Sequence, residues 1–166
     1  MQPEPWLRGI TPGLDPVIAH LLRASQHLRE DVGQAARGLT PQQLWSRPAA
    51  GNPAGFHLKH LAGSTDRLLT YLLGQTLSEQ QLANLADESA PVGSTDELIH
   101  TVSHNLDRYD ETVRALTPAE FSSLRKVGRA QLEVTAISLA IHIAEHGHRH
   151  VGQLVSAATL ARALFR

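Results

Sequence analysis

Four segments of this chain place apolar residues at steps of three and four, the spacing of a helix that buries one face. The first segment opens at Asp15-Pro16, an N-cap residue followed by a proline at the first helical position. The third opens at Ser94, which has capping-box spacing to Glu97. The second predicted helix runs from about Pro53 to Tyr71, and the fourth runs from near Thr135 to about Leu164. A chain with four such segments must bury four helix faces against one another.

The segments between these helices are rich in proline and glycine. Two of them, GLTPQQLWSRP at 38–48 and LTPAEF at 116–121, contain a Thr-Pro start signal, and each predicts a turn leading into a short helix. The only strand-like stretch is RKVGRAQLEV at 125–134, where the alternation is weak. The pattern predicts an all-α protein: an up-down-up-down four-helix bundle with short helices in the connectors.

The length of 166 residues suits one domain with its own core, and we expect a single domain over 1–166 in which residues 1–14 form an N-terminal extension. The formal net charge is −1, without runs of like charge, which argues against a nucleic-acid partner. The N-terminus, MQPEPWLRGITPG, lacks the basic start and apolar stretch of a signal peptide, and no segment is apolar enough to span a membrane. We therefore expect a cytoplasmic protein with neither a membrane nor a nucleic-acid partner.

The sequence contains no cysteine, so a disulfide, a thiolate nucleophile and a cysteine-ligated metal are all excluded. Any metal ion must be bound by histidine, aspartate or glutamate. The chain has ten histidines, and four of them fall within HIAEHGHRH at 142–150. These histidines are therefore the first candidates for a functional site.

The histidines of the first three helices divide according to helix face. On the second helix, His57 and His60 share an apolar stripe with Leu61 and Leu68, so both are predicted to point into the bundle. A buried imidazole needs a hydrogen-bond partner or a metal, because burying it unpaired costs on the order of 1–3 kcal/mol. The histidines predicted to lie on the exposed faces of the first and third helices are His20, His27, His100 and His104.

On the fourth helix, His142, His146 and His150 form a row at intervals of four, and Gln153 lies on the same strip. Two histidines one turn apart can converge on one ion, whereas the outer two of this row are about 12 Å apart along the axis. A site made of His146, one of its neighbours and an inward histidine of the second helix is therefore favoured. His148 falls among apolar residues, where a buried structural or interface role is expected.

Two other metal motifs overlap this row. HIAEH at 142–146 fits H-x-x-E-H, the inverted zincin motif, with Glu145 as general base; that site needs a distant third ligand and a substrate cleft, normally in a much larger chain. Glu145 and His148 also have the Glu-x-x-His spacing of di-iron bundles. Those bundles require further glutamates, and the second helix contains none.

A third motif, H-x-x-x-H-x-G-Q-L within HGHRHVGQL, gives the sequence its resemblance to the DinB-like (YfiT-like) superfamily of small four-helix metalloproteins. FHLKHLAGSTDRLL resembles the second-helix segment of that superfamily, and LTPQQLWSRP resembles one of its connectors. The metal ligands that the resemblance implies are His60, His146 and His150. His57 and His142 are additional, so an exchanged ligand or a supporting role behind the ligands stays open for both.

The resemblance implies a protein that acts on a small-molecule substrate with one divalent transition metal, for which imidazole ligands suit zinc, nickel or iron. Relatives include bacillithiol- or mycothiol-dependent S-transferases, a mycothiol-dependent isomerase and metal-dependent hydrolases. The chain offers no cysteine and no carboxylate predicted to face the site, so the attacking group would be held by the metal. Gln153 could contact substrate or serve as a packing amide. Gly152 would let another helix or a substrate approach closely, and packing against a helix is the favoured role. The alternative is a non-catalytic metal-binding or stress-response protein. The apolar flank of the fourth helix would permit a homodimer.

Overall fold

A computed structural model describes residues 2–47 and 51–165. Its helices are α1 (Pro16–Ala36), α2 (Pro41–Trp45), α3 (Ala54–Leu72), α4 (Glu79–Ala86), α5 (Thr95–Ala115) and α6 (Ala136–Leu164). Short 3-10 helices cover Pro5–Leu7 and Pro118–Glu120, and the strands β1 (Leu124–Val127) and β2 (Leu132–Thr135) form one small antiparallel sheet. The long helices α1, α3, α5 and α6 confirm the predicted all-α four-helix bundle.

The helices start where the sequence signals place them. The Asp15 carboxylate accepts hydrogen bonds from the backbone N–H groups of Val17 and Ile18, and so caps α1. Ser94 and Glu97 form the predicted capping box at the start of α5. The two Thr-Pro segments become α2 and the second 3-10 helix, and the weak strand candidate at 125–134 becomes the β1–β2 hairpin.

The core consists of two apolar clusters, one at each end of the bundle, and each long helix contributes to both. The cluster at one end contains Leu28 and Val32 of α1, Leu58 and Leu61 of α3, Leu98 and Leu106 of α5, and Val151 and Leu154 of α6. The cluster at the other end contains Ile18 and Leu21 of α1, Leu69 and Leu72 of α3, Tyr109 and Val113 of α5, and Leu139 and Ile143 of α6. Helices α1 and α6 therefore run toward the first cluster, whereas α3 and α5 run toward the second.

The helix directions are thus up-down-down-up, and the up-down-up-down order predicted from the sequence is corrected in this respect. Parallel pairing of α3 and α5 is visible in their contacts, because Asn105 Nδ2 donates to the Ala62 carbonyl 2.9 Å away and Arg108 forms an ion pair with Asp66 one turn further along. Helices α5 and α6 each pack against both α1 and α3. This arrangement places one face of α6 directly against α3.

The reason for the parallel pair is the connector at 73–94, which returns along α3 before α5 begins. Gln81 Nε2 donates to Asp66 Oδ2 at 2.7 Å, near the end of α3. Further along the connector, Lys59 Nζ donates to the carbonyl oxygen of Asp87 at 2.6 Å. At the end of the connector, the Gly93 carbonyl accepts a hydrogen bond at 3.3 Å from Nε1 of Trp45, whose ring lies against Gly55 at the start of α3. The connector therefore spans the length of α3.

The N-terminal segment is attached to the bundle by an ion pair. Arg8 donates through Nη1 and Nη2 to the two carboxylate oxygens of Glu30 on α1, at 2.6 and 2.7 Å. Within the described residues, no helix has the length and apolar character needed to cross a membrane.

Candidate metal centre

Three histidines from two helices come together in the half of the bundle nearer the first core cluster. His60 lies on α3, and His146 and His150 lie one turn apart on α6; one ring nitrogen from each falls within 4.8 Å of the other two. The Nε2 atoms of His60 and His146 are 3.0 Å apart. The ring centroid of His150 lies 4.2 Å from that of His60 and 4.5 Å from that of His146. All three side chains are partly buried.

The close approach of α6 to the rest of the bundle depends on Gly147, the residue after His146. A Cβ atom at Gly147 would lie 2.8 Å from Cδ1 of Leu28 on α1, closer than side chains pack. Leu28 is itself almost fully buried, at 1% exposed. Gly147 therefore lets α6 seat against α1 while the neighbouring His146 faces α3.

The two candidate ligands on α6, His146 and His150, are neutral at physiological pH. Burial, followed by the neighbouring His60 and His142, lowers the pKa of His146 to about 4. Burial, followed by the neighbouring His60 and His146, lowers the pKa of His150 to about 4 as well. Neutral imidazole is the form that binds a metal ion, so both residues are in the protonation state that a metal ligand requires.

A buried carboxylate lies directly behind His60. Glu88, in the connector after α4, is 6% exposed, and its Oε2 lies 2.7 Å from His60 Nδ1. Its Oε1 forms an ion pair with Nη2 of Arg67 at 2.7 Å. Burial alone would raise the pKa of Glu88, but the contacts with the His60 ring and the Arg67 guanidinium outweigh burial and hold the pKa below its usual value. Glu88 is therefore ionised, and its Oε2 lies where it can accept a hydrogen bond from Nδ1 of His60.

Glu88 contacts His60 from the side away from the other two histidines and is not among the described residues that line the cavity beside His150, so it is a supporting carboxylate that the sequence did not predict. The helical periodicity that located the histidines could not reveal it, because Glu88 lies outside the long helices and reaches His60 only through the folded connector. The space that Glu88 occupies is provided by Gly63, one turn beyond His60. A Cβ there would lie 2.7 Å from Arg67 Nη1 and 2.8 Å from Glu88 Oε1.

The donor set fits a divalent transition metal. His60 turns its Nε2 atom toward His146, His150 completes the cluster, and His146 and His150 are neutral. Three imidazoles suit zinc, nickel or iron, and a carboxylate that orients one ligand is a common companion of such sites. Carboxylate groups are absent from the three-residue cluster itself, which does not resemble a di-iron centre.

The two additional histidines occupy different environments. His57 is buried at 6% exposed, its ring centroid lies 5.9 Å from that of His150, and its Nδ1 has no hydrogen-bond partner among the described residues. Burial, and then the neighbouring His60, lowers the pKa of His57. His142 is exposed, with its ring 5.7 Å from that of His146 and its Nδ1 3.9 Å from a carboxylate oxygen of the exposed Glu145. In the described residues His142 stands outside the three-histidine cluster, so the inverted zincin arrangement is not assembled.

The remaining histidines lie near their predicted positions with one exception. His20, His100 and His104 are exposed, as predicted. His27 is only partly exposed, because its ring packs edge-on against that of His148 at 5.5 Å and its Nε2 approaches Asp31 at 3.5 Å. His148 is half-buried, and its Nδ1 lies 2.9 Å from the Ala144 carbonyl.

An open cavity of about 980 Å³ adjoins the three-histidine cluster on the side of His150. Its described lining residues are Gly51, Asn52, Phe56, His57, Arg149, His150, Gly152, Gln153, Ser156, Ala157 and Leu160. Gln153 and Arg149 therefore face the space beside the candidate ligand His150. The packing role expected for Gly152 is not seen in the described part of the chain, where no residue lies within 4 Å of a Cβ built there.

The structure defines the class of the protein as a four-helix bundle with a three-histidine cluster, and the comparisons with known proteins identify the family. The sequence model of the DinB superfamily matches residues 17–154, so the chain belongs to that superfamily, as the sequence resemblance predicted. The solved structure of YfiT from Bacillus subtilis, described as a probable metal-dependent hydrolase with an unusual four-helix bundle topology, has the same fold. It superimposes with a TM-score of 0.65 at 15% identity, covering 91% of each chain. No curated protein sequence matches the chain.

Proposed function

We propose that this DinB-superfamily protein is a metal-dependent enzyme in which His60, His146 and His150 bind one divalent transition-metal ion, such as zinc, nickel or iron. The observation that carries the proposal is the convergence of these three imidazoles beside an open cavity. Three protein ligands leave coordination positions free, as in catalytic rather than closed structural sites. The description of YfiT as a probable metal-dependent hydrolase supports the same class of chemistry.

When bound, the ion would supply Lewis acidity, lowering the pKa of a water or thiol ligand or polarising a carbonyl group. The residues of the chain bind and orient the reactants. Phe56 stacks on the ring of His60 at 5.6 Å and shields that ligand. Arg149 brings a positive charge to the cavity wall, where it would attract an anionic substrate or cofactor, and Gln153 offers an amide that can hydrogen-bond to it.

We expect the attacking group to come from outside the chain, because the described lining of the cavity contains no carboxylate and the protein has no cysteine. The hydroxyl of Ser156, also in that lining, donates to the Gly152 carbonyl. Thiol S-transfer is our first candidate, with a bacillithiol- or mycothiol-type thiol as the nucleophile. In that reaction the S–C bond forms as the leaving group departs with its electron pair, and the thiol proton passes to solvent. Hydrolysis, in which water replaces the thiol, is the second candidate and agrees with the description of YfiT.

The test begins with elemental analysis of the purified protein and of the protein reloaded with zinc, nickel or iron. Each form is then assayed with a low-molecular-weight thiol and monochlorobimane, and separately with a p-nitrophenyl ester. Metal-dependent consumption of thiol supports S-transfer, and metal-dependent ester cleavage without thiol supports hydrolysis. Metal retained without turnover in either assay would support the non-catalytic metal-binding alternative.

A further inference from the structure

We propose that Glu88 is a positioning residue for His60: its carboxylate fixes the ring tautomer and orientation that turn Nε2 toward His146 and His150. The effect of Glu88 on metal binding rests on the proposed function, in which His60 is a metal ligand. The state of the His60 ring is a property of the metal-free protein, however, and can be measured separately.

The first step of the argument is the choice of tautomer. A neutral imidazole carries its proton on one nitrogen only, and the other nitrogen holds the lone pair that binds a metal. With Nδ1 of His60 2.7 Å from Glu88 Oε2, the proton is kept on Nδ1. Without that acceptor, the proton could move to Nε2, the atom 3.0 Å from His146 Nε2, and His60 would lose its lone pair on the side of the cluster.

The second step is that Glu88 is itself rigidly held. Arg67, 8% exposed, pairs with the oxygen of Glu88 that does not contact His60. Lys59 donates to the carbonyl oxygens of Asp87 and Ala90, at 2.6 and 3.0 Å, on either side of Glu88. The connector is therefore attached to α3 at the point where it supplies the carboxylate.

The third step is that the pair fills a space that exists only because residue 63 is glycine. A Cβ on Gly63 would lie within 2.8 Å of both Arg67 Nη1 and Glu88 Oε1. Gly63→Ala should therefore displace Glu88 from His60 while leaving every charged group in the chain. Gly63→Ala therefore distinguishes the effect of the position of the Glu88 carboxylate from the effect of its charge.

The decisive measurement is NMR of the imidazole nitrogens of His60 in metal-free protein, assigned with a His60→Ala variant. We expect a protonated Nδ1 and an unprotonated Nε2 in the wild type, and a mixture of tautomers in Glu88→Ala and in Gly63→Ala. Glu88→Gln should be intermediate, because its amide oxygen can still accept from Nδ1–H while its pairing with Arg67 is lost. The matched control, Asp87→Asn, removes one negative charge from the adjacent exposed residue and should leave His60 unchanged.

Zinc affinity, measured by competition with a chromogenic chelator, provides the second readout. Loss of a carboxylate behind a histidine ligand typically weakens metal binding about 10- to 100-fold, and we expect this for Glu88→Ala, with a smaller loss for Glu88→Gln and none for Asp87→Asn. Circular dichroism confirms that each variant is folded; if Glu88→Ala is not, Glu88→Gln and Gly63→Ala decide the outcome.

The outcomes separate this proposal from the proposed function. Wild-type zinc affinity and an unchanged His60 tautomer in the folded Glu88 and Gly63 variants would overturn the role of Glu88 and leave the metal site intact. A wild-type protein that binds no metal would overturn the proposed function, and the tautomer measurement would still decide what Glu88 does to His60.

Discussion

Gly147 on α6 and Leu28 on α1 are in such close contact that a Cβ on the glycine would lie 2.8 Å from the leucine Cδ1. The contact is formed in the first core cluster, one residue from His146. Gly152, on the same helix, has no described residue within 4 Å of the place where its Cβ would be. The two glycines form a matched pair for testing how tightly α6 must pack.

We expect Gly147→Ala to lower the free energy of unfolding by about 1–2 kcal/mol, because overpacking outweighs the gain in helix propensity. Gly152→Ala should raise it by about 0.5–1 kcal/mol, because alanine favours the helix and meets no neighbour. Denaturant unfolding of the metal-free proteins measures both values. An equal increase in the free energy of unfolding in both variants would show that the Leu28 side chain has room to move aside.

Removing the two candidate metal ligands on α6, His146 and His150, should abolish metal binding. Elemental analysis of the wild type should give about one transition-metal ion per chain, the stoichiometry of a mononuclear three-histidine site. The His146→Ala/His150→Ala double variant should contain none. His142→Ala is the matched control on the same helix and should keep its metal, because His142 lies outside the cluster. Loss of metal from the His142 variant would instead support the exchanged-ligand alternative.

The metal-free protein should lose stability as the pH falls between the unfolded and folded pKa values of His146 and His150. In the unfolded chain both titrate near 6.5, whereas in the folded protein both have a pKa of about 4. Between these values the unfolded state binds more protons, so the free energy of unfolding falls as the pH is lowered. Denaturant titrations across this interval should show the decline, and it should be shallower in the double variant. A double variant with the same slope as the wild type would assign the pH dependence to other groups.

Gln153 should affect turnover without affecting the metal. Its side chain is exposed to the cavity beside His150. We expect Gln153→Ala to keep wild-type metal content and unfolding free energy while raising KM or lowering kcat for whichever test substrate is turned over. Ser156→Ala, in the same lining, is a suitable comparison because its hydroxyl already donates to the Gly152 carbonyl at 3.1 Å. Unchanged kinetics in Gln153→Ala would exclude a substrate contact.

Helical periodicity was sufficient to predict the four long helices, because their caps and apolar stripes are local features of the sequence. The same periodicity placed His60 on the inner face of α3 and His146 and His150 on one strip of α6, and the structure brings these residues together. Local signals did not predict the helix directions, because these depend on how the 73–94 connector docks along α3. Glu88 escaped prediction for the same reason. His27 was misplaced because an exposed helix face can still be covered by a neighbouring helix.

The division of the three-histidine cluster between α3 and α6 has a consequence for synthesis of the protein. His60 emerges from the ribosome long before His146 and His150, and Glu88 lies between them in the chain. No hairpin of two consecutive long helices contains the complete cluster, so neither half of the chain can form it alone. The site can assemble only after α6 has been translated as far as His150 and has packed against α3, which makes metal capture a late event in the maturation of the chain.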